Sequence, residues 1–441
     1  MDTVLLARLQ FALTIGFHFI FAPLSIGLAV LVVWLLFVYW RTGDASYQRM
    51  ARFWTGLTAL TFAVGAATGL TMEFQFGTNW ASYSRFVGDV FGPFLASEGI
   101  FAFFLESTLL YVLLFGYDRM KPFFYLLVSI GVAGGAVLSA FWILAANSWM
   151  QTPAGYVLRN GRAELDNYLL ALFSPSMIPR FLHTTTGAIL TGCLFMLGVS
   201  AWLMLKGKNS KLAQYSAGLA LILGLLTSLG QLAFGHYHAI QVGATQPVKM
   251  AAFEGIFDDQ THAPALIFGI PDMAHDRLIY DIRIPSGLSL LLGLRRDHLV
   301  KGLHSFPREN WPPVPLMFFP FHMMIALGFY FIAFSGLGVY LLWRRRLAKH
   351  RWYLWLALIT TPLPFLANEL GWMAAEVGRQ PWLVYNLYRT SEGVSKVVPA
   401  GHIWVSMIVL SLVYLLLFIV WLVFIRRAVR DAPVLEEADV S

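Results

Sequence analysis

Glu376 and Arg379 lie in the run Gly371-Trp372-Met373-Ala374-Ala375-Glu376-Val377-Gly378-Arg379-Gln380-Pro381-Trp382, where a long apolar stretch ends. A carboxylate at the edge of a membrane is costly unless it is paired, protonated or bound to a metal. Arg379, three residues on, can pair with it or with an anionic ligand. Trp372 and Trp382 bracket the motif, as rings at a membrane–water boundary do. An interfacial salt bridge between indole anchors explains this stretch as well as a ligand site does. Other residues of the same chemistry must decide: His18, His183 and Met324, with Glu98 and Glu106, all inside apolar runs. Whether they meet depends on the elements that carry them.

Of the 441 residues, 58% are hydrophobic and only 12% are charged. Soluble domains carry roughly twice that charged fraction. Apolar runs long enough to cross a bilayer as helices recur along the chain. The expected fold is therefore an all-α polytopic membrane protein. The single cysteine, Cys193, excludes an intramolecular disulfide and a cysteine-built metal site. The net charge of +7 would suggest a nucleic-acid partner in a soluble protein, but here the basic residues cluster in short loops, so topology explains them and no nucleic acid is expected. The first apolar run is too long for a cleavable leader and has no small-residue cleavage site.

The pattern predicts nine spans, near 13–40, 53–72, 92–116, 122–147, 181–205, 213–235, 315–343, 352–373 and 402–425. One set of loops holds Arg41, Arg49 and Arg52; Arg119 and Lys121; Lys206, Lys208 and Lys211; and Arg344, Arg345, Arg346, Lys349 and Arg351. The tail adds Arg426, Arg427 and Arg430. The positive-inside rule then places the N-terminus outside and the C-terminus in the cytoplasm. The chain divides into 1–235 with six spans, an outer segment 236–314, and 315–441 with three spans and the tail.

That orientation fixes depth. His18 lies in the outer half of the first span, with Arg8 and Gln10 at its mouth. Glu98 and Glu106 sit on the third span; eight residues apart, they are offset by about 80° on a regular helix and can face one interior. His183 enters the fifth span from outside, Met324 the seventh beside His322 and Met323, and Glu376 leaves the eighth on the same side. Two histidines, a methionine and three carboxylates thus share one zone. Histidine with methionine suits a low-spin, electron-transferring heme, whereas a carboxylate or lone histidine leaves iron a reactive face. Zinc would also accept His and Glu, and an ion-conducting transporter would use His, Glu and Lys at membrane depth.

Several stretches together resemble subunit I of the cytochrome bd quinol oxidases, from end to end. They are Arg8-Leu9-Gln10-Phe11-Ala12-Leu13-Thr14 with His18; Met72-Glu73-Phe74-Gln75-Phe76-Gly77-Thr78-Asn79-Trp80; Phe103-Phe104-Leu105-Glu106-Ser107-Thr108; Ala145-Ala146-Asn147-Ser148-Trp149-Met150-Gln151; Gly269-Ile270-Pro271-Asp272; and the motif around Arg379. The resemblance implies three cofactors near the outer face: a low-spin heme b, a high-spin heme b, and heme d or a further heme b in its place. His183 and Met324 match the low-spin ligands. His18 and Glu376 match the high-spin ligands, with the pairing open, and Glu98 matches a carboxylate at the His18 site. Glu106 and Ser139 match positions assigned to proton delivery, and Trp372 lies beside the hemes. Lys249 and Glu254 in the outer segment match residues implicated in quinol oxidation.

The residue two before Met324 is His322, where the better-known members carry Arg, and the outer segment is of the short form. Some relatives are cyanide-insensitive oxidases. The reading that follows is an enzyme of a bacterial inner membrane that oxidises quinol outside and reduces O2 to water, making a proton gradient without pumping. It would pair with a second subunit of similar fold and a one-helix accessory chain. A heme-bearing quinone reductase without oxygen chemistry is the remaining rival.

Overall fold

The computed structural model describes residues 2–208 and 210–433. Helix α1 (Thr3–Thr42) starts where the Asp2 carboxylate accepts from the Val4 N–H, and ends at Gly43 in the left-handed conformation, φ 71°. Helix α2 (Ala45–Thr78) is capped likewise by Asp44. The third span is α3 (Ala81–Glu98), a π-helical turn (Gly99–Phe103) and α4 (Phe104–Phe115). Then come α5 (Pro122–Gln151), hairpin β1 (Tyr156–Arg159) and β2 (Arg162–Leu165), short α6 (Tyr168–Leu172), α7 (Met177–Leu205) and α8 (Lys211–Thr245).

The outer segment holds α9 (Pro247–Glu254), the antiparallel pair β3 (Ala265–Asp272) and β4 (Arg277–Ile284), and α10 (Gly287–Gly293). Helix α11 (Val314–Trp343) returns through the membrane zone. The chain ends with α12 (Arg351–Thr360), α13 (Leu363–Val377), the short strands β5 (Trp382–Val384) and β6 (Tyr388–Arg389), α14 (Thr390–Gly393) and α15 (Ala400–Arg430).

Among the described residues, eight continuous helical stretches are long and apolar enough to cross a bilayer. The remaining expected span, 352–373, is present as two pieces, because Pro362 cannot continue α12 and instead opens α13. Several helices also overrun their apolar stretches: α1 begins ten residues before position 13, and α8 continues to Thr245. The π-helical turn between Glu98 and Glu106 removes about one residue of rotation, which brings the two carboxyls closer to one face than a regular helix would.

Helix α7 is the centre of the bundle, with 83% of its most apolar window buried, whereas α15 is a flank with 17%. Burial of apolar surface cannot hold helices together inside lipid, so close backbone approach and satisfied polar groups must. At the α1–α7 crossing a Cβ on Gly27 would lie 2.8 Å from Gly192 Cα. Leu24, Leu28, Trp54 and Cys193 belong to the largest buried apolar core of the bundle. The Trp54 indole N–H donates to Ser216 Oγ at 2.9 Å, so α2 and α8 meet without an orphaned donor. Apolar side chains on α15, such as Val405, Leu412 and Leu416, are exposed as lipid-facing residues are. Gly192→Leu is expected to force α1 and α7 apart and cost at least about 1–3 kcal/mol, seen as a lower unfolding temperature of the detergent-solubilised protein. An unchanged unfolding temperature would contradict the close crossing.

Candidate functional site

The Glu376 carboxylate lies where three helices meet. Oε2 pairs with Arg379 Nη2 at 2.5 Å, while Oε1 accepts from Asn147 Nδ2 at 3.0 Å and Gln151 Nε2 at 3.1 Å. Asn147 and Gln151 are one turn apart on α5, so one face of that helix holds the carboxylate. Gln151 Oε1 in turn accepts from Lys249 Nζ at 2.5 Å, and Gln246 Oε1 accepts from the same ammonium at 2.5 Å. A continuous polar chain thus joins α13, α5 and α9.

The balance of charge in this cluster is unequal. Arg180, Lys249 and Arg379 are each 5% exposed or less, and Glu376 is the carboxylate among them. Arg180 Nε and Arg379 Nε and Nη1 are buried with no hydrogen-bond partner. Burial, and then the neighbouring Arg180, push the Lys249 ammonium well below its ordinary range, with Glu376 pulling the other way. Unpaired guanidinium edges in a dry interior are receptors for carboxylates or phosphates.

Two of the heme-ligand candidates lie close to elements of this cluster: His183 one turn after Arg180 on α7, and Met324 against Gly371 of α13. His183 is half-buried near the outer end of α7, and its Nδ1 has no partner. A Cβ on Gly235 would lie 3.1 Å from His183 Cε1. A Cβ on Gly371 would lie 2.8 Å from Met324 Sδ, and one on Gly69 would lie 3.2 Å from His18 Cε1. Glycine therefore packs closely against each of the three candidate ligands, on α8, α13 and α2, where a larger residue would crowd the ligand itself. His18 Nδ1 is 3.1 Å from both Gly65 O and Thr68 Oγ1, an arrangement that fixes the ring and leaves Nε2 to ligate. Donors of the types in His18, His183 and Met324, with buried cations nearby for acidic side arms, suit a macrocyclic iron cofactor bearing carboxylates.

The other expected residues divide. Ser139 Oγ donates to Glu98 Oε1 at 2.6 Å, and one turn away on α5 a Cβ on Gly135 would sit 2.9 Å from Glu106 Cβ. Ser139, Glu98 and Glu106 thus share the α5 face. Trp372 stands half-buried one turn before Glu376. Gln10 is held by protein at both ends, donating to Ser406 Oγ at 3.0 Å and accepting from Asn79 Nδ2 at 2.5 Å, while Arg8 is half-buried on the first turns of α1. Lys249 and Glu254 face different sides of α9: Glu254 Oε2 accepts from the Leu266 N–H at 3.2 Å on β3. His322 Nδ1 lies 3.0 Å from Phe318 O, and its Nε2 is buried without a partner.

Two residues of this zone escape notice in the sequence. Arg180 lies one turn before His183, a spacing that could have flagged it. His238 on α8 brings its ring to 6.1 Å from that of His183, with Nε2 buried and unpartnered.

A family profile described as "Cytochrome bd terminal oxidase subunit I" matches residues 6–433. The chain belongs to that family. A Bacillus subtilis (strain 168) protein named cytochrome bd ubiquinol oxidase subunit 1 is 39% identical over 98% of this chain and 95% of its own length. The cytochrome bd-II ubiquinol oxidase subunit 1 of Escherichia coli (strain K12) is 32% identical over 98% of this chain and 97% of its own. Among solved structures, the bd oxidase of Geobacillus thermodenitrificans superposes with a TM-score of 0.93 at 29% identity, covering 98% of this chain and 99% of that one. This subunit I is therefore a membrane-embedded, heme-carrying oxidoreductase chain that works with a partner subunit.

Glu254, outside the spans, gives the site a pH dependence. Burial pushes its carboxyl up to about 7, against the pull of the Leu266 N–H. Because the folded value exceeds the unfolded one, the protonated form stabilises the fold below the ordinary carboxylate range, and that contribution disappears as pH rises through about 7. Hydrogen exchange at Leu266, corrected for intrinsic chemistry, should speed up from about pH 5 to about pH 8, and Glu254→Gln should abolish the increase. An increase that persists in the variant would assign it to another group.

Proposed function

We propose that this chain oxidises quinol at the outer face and reduces O2 to water, with His183 and Met324 as the residues that would hold a low-spin heme b, and His18 and Glu376 as those that would hold two high-spin hemes. The two would be a heme b and a heme d, or a further heme b in its place. Bound there, the hemes supply reversible one-electron chemistry and an oxygen-binding iron. The observation that carries this reading is a group of buried, unpartnered nitrogens: His183 Nδ1, Arg180 Nε one turn before it, and Arg379 Nε and Nη1 beside Glu376. Those cations would hold heme carboxylates, and the Gln151–Lys249 chain would fix Glu376 in orientation. The names of the relatives, which specify ubiquinol, support quinol as the donor.

On the outer side, Glu254 would receive quinol protons and Lys249 would link the quinol-binding segment to the Glu376 cluster. On the other side, Glu106 and then Glu98 with Ser139 would carry protons from the cytoplasm. Proton release outside with uptake from inside makes turnover electrogenic without a pump. The setting is a bacterial cytoplasmic membrane, with a second subunit of similar fold and a one-helix accessory chain.

His183→Ala and Met324→Ala are each expected to abolish the low-spin heme b absorption and quinol oxidation in a folded protein; a normal low-spin spectrum in both would contradict the assignment. Glu254→Ala should lower quinol-driven oxygen uptake by roughly a hundredfold and spare uptake driven by an artificial donor. Equal loss with both donors would place Glu254 in the scaffold instead. Glu106→Gln should slow oxygen reduction while quinol affinity stays the same, and unchanged turnover with all hemes present would make the carboxyl structural.

A further inference from the structure

Beyond the residues assigned so far, α13 carries a second carboxyl, Glu369, seven residues before Glu376. Seven residues is close to two turns, so the two carboxyls share one face of α13 about 10 Å apart along its axis. Glu369 Oε1 is buried with no hydrogen-bond partner. Its Oε2 points to α1, where a Cβ on Gly16 would lie 3.4 Å away, two residues from His18. The carboxyl therefore occupies the interior between the helices that carry His18 and Glu376, and glycine at position 16 admits it.

The neighbouring polar groups show that this is not an isolated accident of packing. Asn368 Nδ2 donates to Thr191 Oγ1 at 2.9 Å. A Cβ on Gly187 would lie 2.6 Å from Gln231 Nε2 and 3.2 Å from Asn368 Oδ1, and Gln231 Oε1 is itself buried and unpartnered. Further along toward the basic loops, Tyr330 OH and Thr360 Oγ1 are 2.5 Å apart just before the Pro362 break. Hydrogen-bonding groups from α7, α8, α11, α12 and α13 thus line the cytoplasmic approach to Glu369. Buried polar groups without partners are costly and rare in native interiors, and those that persist call for a role or a bound water. This approach is separate from the Glu106, Glu98 and Ser139 face of α5.

We propose that Glu369 is a proton-carrying residue for oxygen reduction, fed along the α7–α8–α13 side of the bundle. This rests on the oxidase reading above. In each transfer the carboxyl O–H bond breaks as its proton goes to reduced oxygen, and the carboxylate regains a proton from water that enters from the cytoplasmic side. Electrons come from quinol, so Glu369 is unchanged over the cycle.

The test uses the purified oxidase complex carrying Glu369→Gln or Glu369→Asp. Absorption spectra report whether the hemes are in place, and redox-difference infrared spectra report carboxyl protonation. The expected result is a full heme complement in both variants and loss of one carboxyl C=O band in Glu369→Gln. That variant should lose roughly a hundredfold in oxygen reduction, with substantial recovery in Glu369→Asp. An unchanged infrared spectrum with the hemes intact would overturn the proposal, as would normal turnover in Glu369→Gln. A wild-type complex without heme would overturn the oxidase reading itself.

Discussion

Three basic side chains, Arg180, Lys249 and Arg379, are buried around one carboxylate, Glu376, and the site depends on how that imbalance is resolved. Taking a cation out of water costs several kcal/mol even after relaxation. The protein resolves part of the cost internally. Lys249 is solvated by the side-chain oxygens of Gln151 and Gln246, and one edge of Arg379 by Glu376. Arg180 Nε and Arg379 Nε and Nη1 find no protein partner. An anionic cofactor would resolve the rest, and acidic side arms on a heme have the charge and chemistry for it.

Local features of the helices set the candidate ligands and carboxyls in place. Glycines at positions 69, 235 and 371 withhold side chains opposite His18, His183 and Met324. Pro362 breaks the eighth span, so α13 is a short helix that can be set by packing against α1, α7 and α11 independently of α12. The π-helical turn in the third span turns Glu98 and Glu106 toward the same face of α5. Each device trades regular backbone for the placement of one functional group. Short-range sequence rules thus set a geometry that only the assembled bundle makes useful.

The architecture was readable because lipid imposes a strong signal: long apolar runs separated by basic loops. Orientation also converts sequence position into depth, which is how the sequence proposes a shared zone for the candidate ligands. Less readable was everything that depends on rotation about a helix axis or on a neighbour. Nothing in the run around Ile100 announces a π-helical turn. Arg180 and Glu369 are single polar residues among apolar ones, and only tertiary contact separates such a residue from a packed or capped side chain. Gln10 illustrates the converse: it sits at the mouth of the first span as a ligand would, yet Asn79 and Ser406 occupy its amide. Lys249 and Glu254 were close in sequence and are divided by the helix they share, one facing α5 and the other β3.

The central claim is that the polar zone in the outer half of the bundle is a heme-holding redox centre. The most direct measurement is the kind and amount of heme extracted from the purified folded complex, together with its reduced-minus-oxidised absorption spectrum. The account predicts one low-spin heme b and two high-spin hemes, with the low-spin component reduced by quinol. A folded complex that contains no heme would contradict it.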